Sequence, residues 1–403
     1  MWPFTKRVEK RDGSWDRLQS APYMTASGGY VSPEKASGLA VAHRCIQLIS
    51  ENLASVPLRP YRRSEDNGRE PATDHPLYRV LHDDFNESLT AFAGREMLVA
   101  SVLTAGNGYA RIERSPQGQV VALHPIQPGN VSVEKLASGR LRYQVALESG
   151  GTETLLQDEL IHLRYRTKDG IAGLSPLSIA AATFSLALAQ QDQAAAQVEN
   201  AFSASGMLSL DGKLTSEQYN LLRSWFRQSF IGSRKAGEPV IMDNGAKFTT
   251  FQIPNKDMEF LESRYASNEQ IAMIFGCPPT SVGLVKSATY SNVEGETKAL
   301  VARCLGPMSR RIEQAMNSAL LTPEARRAGL YIEHDLGGLL RGDLATRYEA
   351  YRVGREGGWL SPDEIRAMEN MSKIPGGDTY LQPMNHVPLG TANDNGEPKQ
   401  GAD

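Results

Sequence analysis

Two long helical stretches that bracket a small segment of turns and strands constrain the fold of this chain more than any other feature. The first stretch runs from Pro176 to about residue 203, with Ser175 as its expected N-cap, and the second from Asp257 to Phe275. At ~1.5 Å per residue the first helix would be roughly 40 Å long. This order of a helix leading out, a small module and a helix leading back predicts a projecting arm. Such an arm suits a ring or tube better than a closed enzyme pocket. A buried helix in a large α/β core is the alternative interpretation.

Helical and strand patterns alternate along the rest of the chain, which predicts an α+β fold. Residues 34–54 and 91–104 have helical periodicity, whereas residues 106–166 have mostly the alternation of strands. Gly276 stands where the C′ glycine of the second long helix belongs. The sequence between the two long helices predicts further strands, two of which are joined by a hairpin turn at residues 244–246.

A third long helix is predicted from Ser291 to about Leu321. Pro307 lies in its middle and removes a backbone hydrogen bond, so a kink is expected near residues 302–306. Two shorter helices follow, and Ser361 is the expected N-cap of the last one.

Composition excludes several classes of protein. The net charge of −3 over 403 residues excludes a strongly basic footprint of the kind that tight nucleic-acid binders show. Cys45, Cys277 and Cys304 are odd in number and widely spaced, which indicates neither a disulfide framework nor a zinc site. The chain has no apolar run of the roughly 18 residues that a membrane span needs and no signal-peptide pattern at its start. It is expected to be made in the cytosol, or kept inside something assembled there.

No catalytic constellation stands out in the sequence. Glu333-His334-Asp335 contains acid and base groups, but strand alternation points His334 away from its neighbours, so a structural role is predicted. Ser175 lacks the glycine that would make it a nucleophile elbow. The paired arginines at 62–63, 310–311 and 326–327 are interpreted as solvated or salt-bridged surfaces. The sequence therefore predicts no catalytic, no cofactor-binding and no metal-binding residue.

Recurring sequence pieces, taken in order, resemble the HK97-type portal proteins of tailed bacteriophages and gene transfer agents, from about residue 34 to 381. Each piece is weak alone, but their order and spacing are specific. The pieces are CIQLISENLASVPLRPYRR (45–63), HPLYRVLHDDFNE (75–87), GNGYARIER (106–114), GIAGLSPL (170–177), IAMIFGCPPTSVG (271–283), TYSNVEGE (289–296), GPMSRRIE (306–313), GGWLSPDEIR (357–366) and IPGGDTY (374–380). One departure is Cys277, where a small aliphatic residue is more usual.

The resemblance implies a portal-like subunit with an α/β wing, a two-helix stem, a small α/β clip, a kinked long helix and a helical crown. The implied segments are a flexible N-terminal arm (1–30), the wing (31–175), the first stem helix (176–205), the clip (206–256), the second stem helix (257–276), the tunnel loop (277–291), the kinked helix and wing return (292–345), the crown (346–382) and a disordered tail (383–403).

The resemblance also implies a function and partners. Such proteins form a ring, typically of twelve subunits, at one capsid vertex, through which double-stranded DNA passes during packaging and ejection. The implied partners are the large terminase, a head–tail adaptor and the major capsid protein, with no membrane. The implied location is the virion, after assembly in the bacterial cytoplasm. Two alternatives remain: another ring component of the head–tail connector, or a hydrolase or nuclease with an unrecognised site.

Two sets of residues are the candidate contacts. In the tunnel loop, Lys286 is the only charged residue between positions 277 and 291, and a nearly uncharged lining suits DNA that must slide. The expected DNA-facing residues are Val285, Lys286, Ser287 and Thr289. The expected partner contacts of the clip are Trp225, Phe226 and Phe230, although these aromatic side chains could instead fill the core of the module.

Overall fold

A computed structural model describes most of the chain, and it contains both helices and antiparallel sheets, which confirms the predicted α+β class. The described residues are 23–24, 30–63, 68–147, 149–199, 206–209, 215–217, 219–221, 224, 247–250, 256–284, 290–340, 344–369 and 371–381. The chain divides into two compact units, residues 1–336 and 337–403. The finer division into wing, stem, clip and crown stays a prediction.

Among the described residues of the first unit, the strands form three three-stranded antiparallel sheets and several two-stranded pairs. The strand orders of the three sheets are β12-β7-β8, β11-β10-β9 and β17-β3-β4. The strands are β1 (Tyr23–Met24), β2 (Tyr30–Val31), β3 (Leu58–Arg63), β4 (Arg69–Pro71), β5 (Asp84–Asn86), β6 (Leu89–Thr90), β7 (Asn107–Arg114), β8 (Val120–Ile126), β9 (Val131–Lys135), β10 (Leu141–Ala146), β11 (Thr152–Leu156), β12 (Leu160–Arg164), β13 (Arg166–Thr167), β14 (Gly173–Leu174), β15 (Gly206–Ser209), β16 (Lys247–Thr250) and β17 (Leu330–His334). The pairing of β1 with β2 places regular structure inside the predicted N-terminal arm.

The helices near the start of the chain pack against one another and against the sheets. The helices are α1 (Pro33–Ser37), α2 (Ala40–Ser55), α3 (Pro76–His82) and α4 (Ala91–Ala105). The predicted helix 34–54 is interrupted at Gly38 and Leu39, but its buried stripe is confirmed by Cys45 and Leu53. Helix α4 begins at the N-cap Thr90 and ends at Gly106 in the left-handed conformation, with φ +79°.

One buried arginine ties α4 to the end of α2. The guanidinium of Arg95 donates hydrogen bonds to the carbonyl oxygens of Ala54 at 2.7 Å, Val56 at 3.1 Å and Ala91 at 3.2 Å. Burial lowers the pKa of Arg95 to about 10, so the side chain is still charged at neutral pH. A cation beside the last carbonyl groups of a helix is favoured by the helix dipole.

The first long helix differs from the single helix predicted from Pro176. It consists of a short turn, α5 (Pro176–Ile179), and α6 (Ala181–Glu199), separated at Ala180, whose φ of −109° and ψ of 28° are not helical. Tertiary contacts explain the break, because the buried Leu177 and a 2.5 Å hydrogen bond from Ser175 Oγ to the Thr104 carbonyl hold the short turn in place. Residues 200–205, the end of the prediction, lie outside the described residues.

The second long helix, α7 (Lys256–Phe275), is confirmed to within one residue. It packs against α6 through a T-shaped contact of Phe184 with Phe275, whose ring centroids are 6.5 Å apart, and through a 2.8 Å hydrogen bond from Gln190 Nε2 to Ser263 Oγ. The buried positions described on α6 are Phe184, Ala187 and Gln190, which lie three residues apart on one face, whereas Ala195 is exposed.

The third long helix has its irregularity where proline predicted one, in the form of a π-helical turn. Helix α8 (Tyr290–Leu300) leads into the turn Val301–Leu305, and α9 (Gly306–Leu320) continues from it. The amide of Gly306 bonds the carbonyl of Val301, five residues earlier, and Pro307 falls in the first turn of α9, where it needs no amide hydrogen. Helix α10 (Pro323–Arg327) follows and leads to strand β17.

The second unit contains α11 (Gly337–Leu340), α12 (Leu344–Glu356) and α13 (Pro362–Met368). Ser361 caps α13 as predicted and forms a full capping box with Glu364. Arg347 Nε lies 2.9 Å from Glu369 Oε1, and the hydroxyl of Tyr351 donates to the same oxygen at 2.8 Å.

Candidate functional site: the base of the tunnel loop

The predicted site residues themselves lie outside the described part of the chain. This holds for Val285, Lys286, Ser287 and Thr289 in the tunnel loop, and for Trp225, Phe226 and Phe230 in the clip. Their contacts with DNA and with partners therefore stay predictions. The structure does describe how the chain enters the tunnel loop after α7 and how it leaves through α8.

The end of α7 is a complete Schellman motif. Gly276 adopts the left-handed conformation with φ +73° and donates its amide hydrogen to the Met273 carbonyl at 3.0 Å. The amide of Cys277 bonds the Ala272 carbonyl, also at 3.0 Å. These bonds satisfy carbonyl groups at the helix end and fix the direction in which the chain continues.

The first residues of the loop are also fixed by their backbone. A 3₁₀ turn spans Pro279–Val282 and ends at Gly283, which has φ +84°. The amide of Leu284 bonds the Pro279 carbonyl at 2.9 Å. Hydrogen bonds therefore define the backbone of the loop entry as far as Leu284.

All three cysteines of the chain meet at this loop base. Cys45 comes from α2, Cys277 follows α7 and Cys304 lies in the π-helical turn, and their exposed fractions are 0%, 3% and 8%. The thiol of Cys277 is hydrogen-bonded to both other thiols, and Cys304 Sγ donates to the Phe275 carbonyl at 3.3 Å. None of the three is in a disulfide. The cluster therefore joins α2, the end of α7 and the π turn behind the loop.

The thiols of Cys277 and Cys304 are held in the protonated form, because the pKa of each is raised. The hydrogen bond from Cys304 lowers the pKa of Cys277, but the bond with Cys45 and burial outweigh it and leave the pKa of Cys277 raised. The bond with Cys277 and burial raise the pKa of Cys304. Since the thiolate is the reactive form, these cysteines are packing residues rather than nucleophiles.

We predict that iodoacetamide alkylates these thiols in the folded chain at least about a hundredfold more slowly than in urea, because thiolate and reagent are both excluded. The measurement is the rate of mass increase at pH 8. Unfolded protein serves as the control and should take up three labels, one for each cysteine. Rapid labelling of all three thiols in folded protein would contradict the cluster.

A second set of contacts fixes the start of the first long helix to the β layer. Asn107 Oδ1 accepts from the Gly173 amide at 2.7 Å, and its Nδ2 donates to the Gly173 carbonyl at 3.0 Å. His162 bonds Asn107 Oδ1 through Nε2 at 3.0 Å and Tyr143 through Nδ1 at 3.2 Å. A neutral imidazole satisfies both bonds, one as donor and one as acceptor.

Burial controls the protonation of this buried network. It lowers the pKa of His162 well below the usual range and raises the pKa of Tyr143 to about 12. Both groups are therefore uncharged at neutral pH. The two glycine-containing pieces GNGYARIER and GIAGLSPL meet here, so these pieces are structural joints between the β layer and the first long helix.

The Glu333-His334-Asp335 sequence has the structural role that strand alternation predicted. His334 is buried on β17, with Nδ1 at 3.2 Å and its amide at 3.1 Å from Glu313 Oε1. Its Nε2 atom is shielded from solvent and has no hydrogen-bond partner, so it does not face a substrate. Burial lowers the pKa of His334, and although burial alone raises the pKa of Glu313, the bonds from His334 outweigh it and lower that pKa.

One arginine of each pair is salt-bridged, which agrees with the predicted surface role. Arg310 lies 3.0 Å from Glu313, Arg62 lies 3.5 Å from Asp74, and Arg327 lies 3.9 Å from Glu324. Within the described ranges, no group of three or more His, Cys, Asp or Glu side chains is placed to hold a metal ion. Among the same residues, no helix has both the length and the apolar character that crossing a bilayer requires.

Comparison with known proteins identifies the family. Residues 40–370 match the family model of the phage portal protein. The portal protein of Enterobacteria phage HK97 is 30% identical over 423 aligned positions that cover 98% of each chain. The probable portal protein of Streptomyces phage phiC31 is 26% identical and covers 98% of this chain and 88% of its own. The chain belongs to the phage portal protein family, a family of structural proteins.

Solved structures agree with this assignment. A chain from the neck of an empty gene transfer agent particle has a TM-score of 0.60 and 25% identity, over 87% of this chain and 98% of its own. An HK97-family portal protein from Corynebacterium diphtheriae shares the fold, with a TM-score of 0.53 and 16% identity over 79% of this chain and 98% of its own. The predicted class, a capsid portal protein, is confirmed.

Proposed function

We propose that twelve copies of this chain form a closed ring at one capsid vertex, and that DNA passes through its axial channel during packaging and ejection. The observation that carries the proposal is the family match over residues 40–370, together with the near full-length similarity to the HK97 portal protein. A chain of the same fold occurs in a gene transfer agent neck computed with C12 symmetry, which supports the number twelve.

The ring is tested by light scattering coupled to gel filtration of the purified chain. Twelve subunits of 44.1 kDa should give a species of roughly half a megadalton, because a heterologous interface that closes makes a ring of fixed size. A chain that stays a monomer or dimer, alone and in assembled particles, would contradict the proposal.

The ring acts as a structural conduit rather than an enzyme in this proposal. It docks the large terminase during packaging and a head–tail adaptor afterwards, and it contacts the major capsid protein. It assembles in the host cytoplasm and remains in the virion. The described geometry supports the stem assignment, since α6 and α7 pack side by side and strands β15 and β16, which lie between them in the sequence, pair with each other.

The tunnel loop lines the narrow part of the channel in this proposal, and Lys286→Glu tests its role. The ring repeats the change in every subunit, so the variant replaces separate positive points by negative ones and should weaken transient contact with phosphate. We expect intact rings but less packaged or retained DNA, measured as genome length per particle. Lys286→Arg, the matched control, should behave as the wild type. Packaging by Lys286→Glu at the wild-type level at several salt concentrations would show that the loop is only a connector.

The clip, residues 206–256, docks the partners outside the capsid, and the candidate contact residues are Trp225, Phe226 and Phe230. Replacing the module by a short Gly/Ser linker should leave the fold of the wing intact and abolish binding of terminase and adaptor. Circular dichroism checks folding, and a pull-down with each partner checks binding. Binding that survives the replacement would show the assignment to be wrong.

A further inference from the structure

A polar cleft lies between helix α9 and the edge strand β17 of the first unit. Its volume is about 330 Å³, which is room for a side chain but not for a helix or a strand. The polar side chains that line it include Arg63 from β3, Arg310 and Gln314 from α9, and Tyr331 and Glu333 from β17. None of these residues belongs to the tunnel loop or to the clip, so the proposed function does not account for the cleft.

Hydrogen bonds between α9 and β17 fix the two walls of this cleft. Asn317 Nδ2 donates to the Ile332 carbonyl at 2.8 Å, and the Ile332 amide donates to Asn317 Oδ1 at 2.8 Å. The amide of His334 donates to Glu313 Oε1 at 3.1 Å. Side chains of the helix therefore occupy the edge of the strand. Because the walls are held by these bonds, the cleft has its shape before anything binds, and binding there requires little ordering.

The ion pairs around the cleft leave one positive charge without a counterion. Glu333 is paired with Arg69. Arg310 lies 3.0 Å from Glu313 and 3.8 Å from Glu333. Two guanidinium groups thus face two carboxylates. Arg63 is a third arginine at the cleft, and it forms no ion pair with any described residue. The cleft therefore has a net positive charge of one group, which favours an anionic ligand.

The guanidinium of Arg63 is placed to bind such an anion through its edge. It lies over the ring of Tyr331, 5.7 Å from the ring centroid, and this stacking leaves the N–H groups at its edge available. The amide of Arg63 also donates to the Gly329 carbonyl at 3.1 Å, which holds the backbone below it. Within the described ranges, neither the side-chain amide of Gln314 nor the hydroxyl of Tyr331 has a hydrogen-bond partner. Uncharged donors therefore stand beside the free cation.

We propose that this cleft binds one aspartate or glutamate side chain of a partner protein. A single uncompensated guanidinium matches a single carboxylate, which it can bind through two parallel N–H donors. Duplex DNA fits the cleft less well, because it carries one negative charge per roughly 1.7 Å of axis. The carboxylates of Glu313 and Glu333 would repel the phosphates on either side of the bound one. The inference does not depend on ring assembly or on the tunnel loop.

Protection of Arg63 from phenylglyoxal tests the site in the intact full-length chain. The probe is the peptide acetyl-Gly-Glu-Gly-amide, and acetyl-Gly-Gln-Gly-amide is its uncharged control. A single contact of this kind binds in the millimolar range, so each peptide is used at about 50 mM. Mass spectrometry locates each modified arginine. We expect the glutamate peptide to slow modification of Arg63 by at least about threefold, and the glutamine peptide to have no effect. Modification of Arg44, an exposed arginine outside the cleft, should not change.

Two substitutions with opposite expected effects provide the second measurement. Arg310→Gln, at a side chain that is 69% exposed, removes a positive charge from the cleft and should raise the peptide concentration for half protection at least about fivefold. Glu333→Gln removes a negative charge and should lower that concentration about threefold. Circular dichroism checks that both variants fold. Shifts in the same direction, or no shift in either variant, would overturn the inference.

Three further outcomes would overturn the proposal. The first is equal protection of Arg63 by the glutamate and glutamine peptides. The second is stronger protection by a DNA duplex than by the glutamate peptide at equal concentration of negative charge, which would indicate a nucleic-acid contact instead. The third is modification of Arg63 that is already much slower than that of Arg44 without any peptide and is unchanged by the glutamate peptide, which would show that this chain fills the cleft itself.

Discussion

Gly173→Ala is expected to destabilise the first unit by about 3 kcal/mol, because the added methyl group has no space and its neighbours are backbone atoms. A Cβ atom at position 173 would overlap the Gly106 carbonyl oxygen and stand 2.9 Å from the Tyr165 nitrogen. These two backbone atoms are hydrogen-bonded to each other, with the Tyr165 amide donating to the Gly106 carbonyl at 2.9 Å, so the methyl group cannot fit without disturbing that bond. The loss of unfolding free energy should therefore be several times that of an ordinary surface substitution.

Thermal unfolding followed by circular dichroism measures this effect. The melting temperature of the Gly173→Ala chain should fall by roughly 6–12 °C, given the scale for domains of this size. Gly129→Ala is the matched control, since a Cβ atom at position 129 meets nothing within 4 Å. That control should change the free energy of unfolding by less than about 0.5 kcal/mol. Equal effects of the two substitutions would show that the close approach of Gly106 and Gly173 is absent in solution.

Arg95→Ala is expected to cost about 3–5 kcal/mol of unfolding free energy, since it leaves buried carbonyl groups at the end of α2 without donors. Ala54 and Val56 are 0% and 3% exposed, so water does not replace the guanidinium there. Arg95→Lys should lie between the alanine variant and the wild type, because an ammonium keeps the charge but not the planar set of donors.

The control for this prediction is Arg44→Ala on the same helical layer. Arg44 is exposed and bonds only a neighbouring glutamine on α2, Gln47, at 3.2 Å. Its loss should cost less than about 0.5 kcal/mol. Urea unfolding of the three variants beside the wild type compares them. An equal loss of unfolding free energy in Arg95→Ala and Arg44→Ala would contradict the capping role of the buried guanidinium.

Local signals in the sequence predicted the elements that local chemistry determines. Gly276, Ser175 and Ser361 are caps with defined side-chain or backbone requirements, and each lies where its helix begins or ends. Pro307 predicted the irregular turn of the third helix, because proline has no amide hydrogen and disturbs the helix only in the adjacent turn. The single helix from Pro176 was wrong, since contacts with the β layer outweigh the helix propensity of its alanines.

Contacts between distant parts of the chain were not predicted from the sequence. The three cysteines are far apart along the chain, and their spacing gave no sign that one thiol would contact the other two. Asn107 lies in the piece GNGYARIER and Gly173 in the piece GIAGLSPL. The glycines of these two pieces were the only sign that their backbones approach closely. Arg95 stands in a mostly apolar helix whose other charged residue is Glu96, and this is the one signal that could have indicated a buried polar role.

Cryo-electron microscopy of particles assembled with this chain is the direct test of a ring at one capsid vertex. We expect one vertex that carries a closed ring of this fold, with an axial channel and the loop of residues 277–291 at its narrowest part. Particles that package DNA without such a ring, or that carry the chain at every vertex, would contradict it.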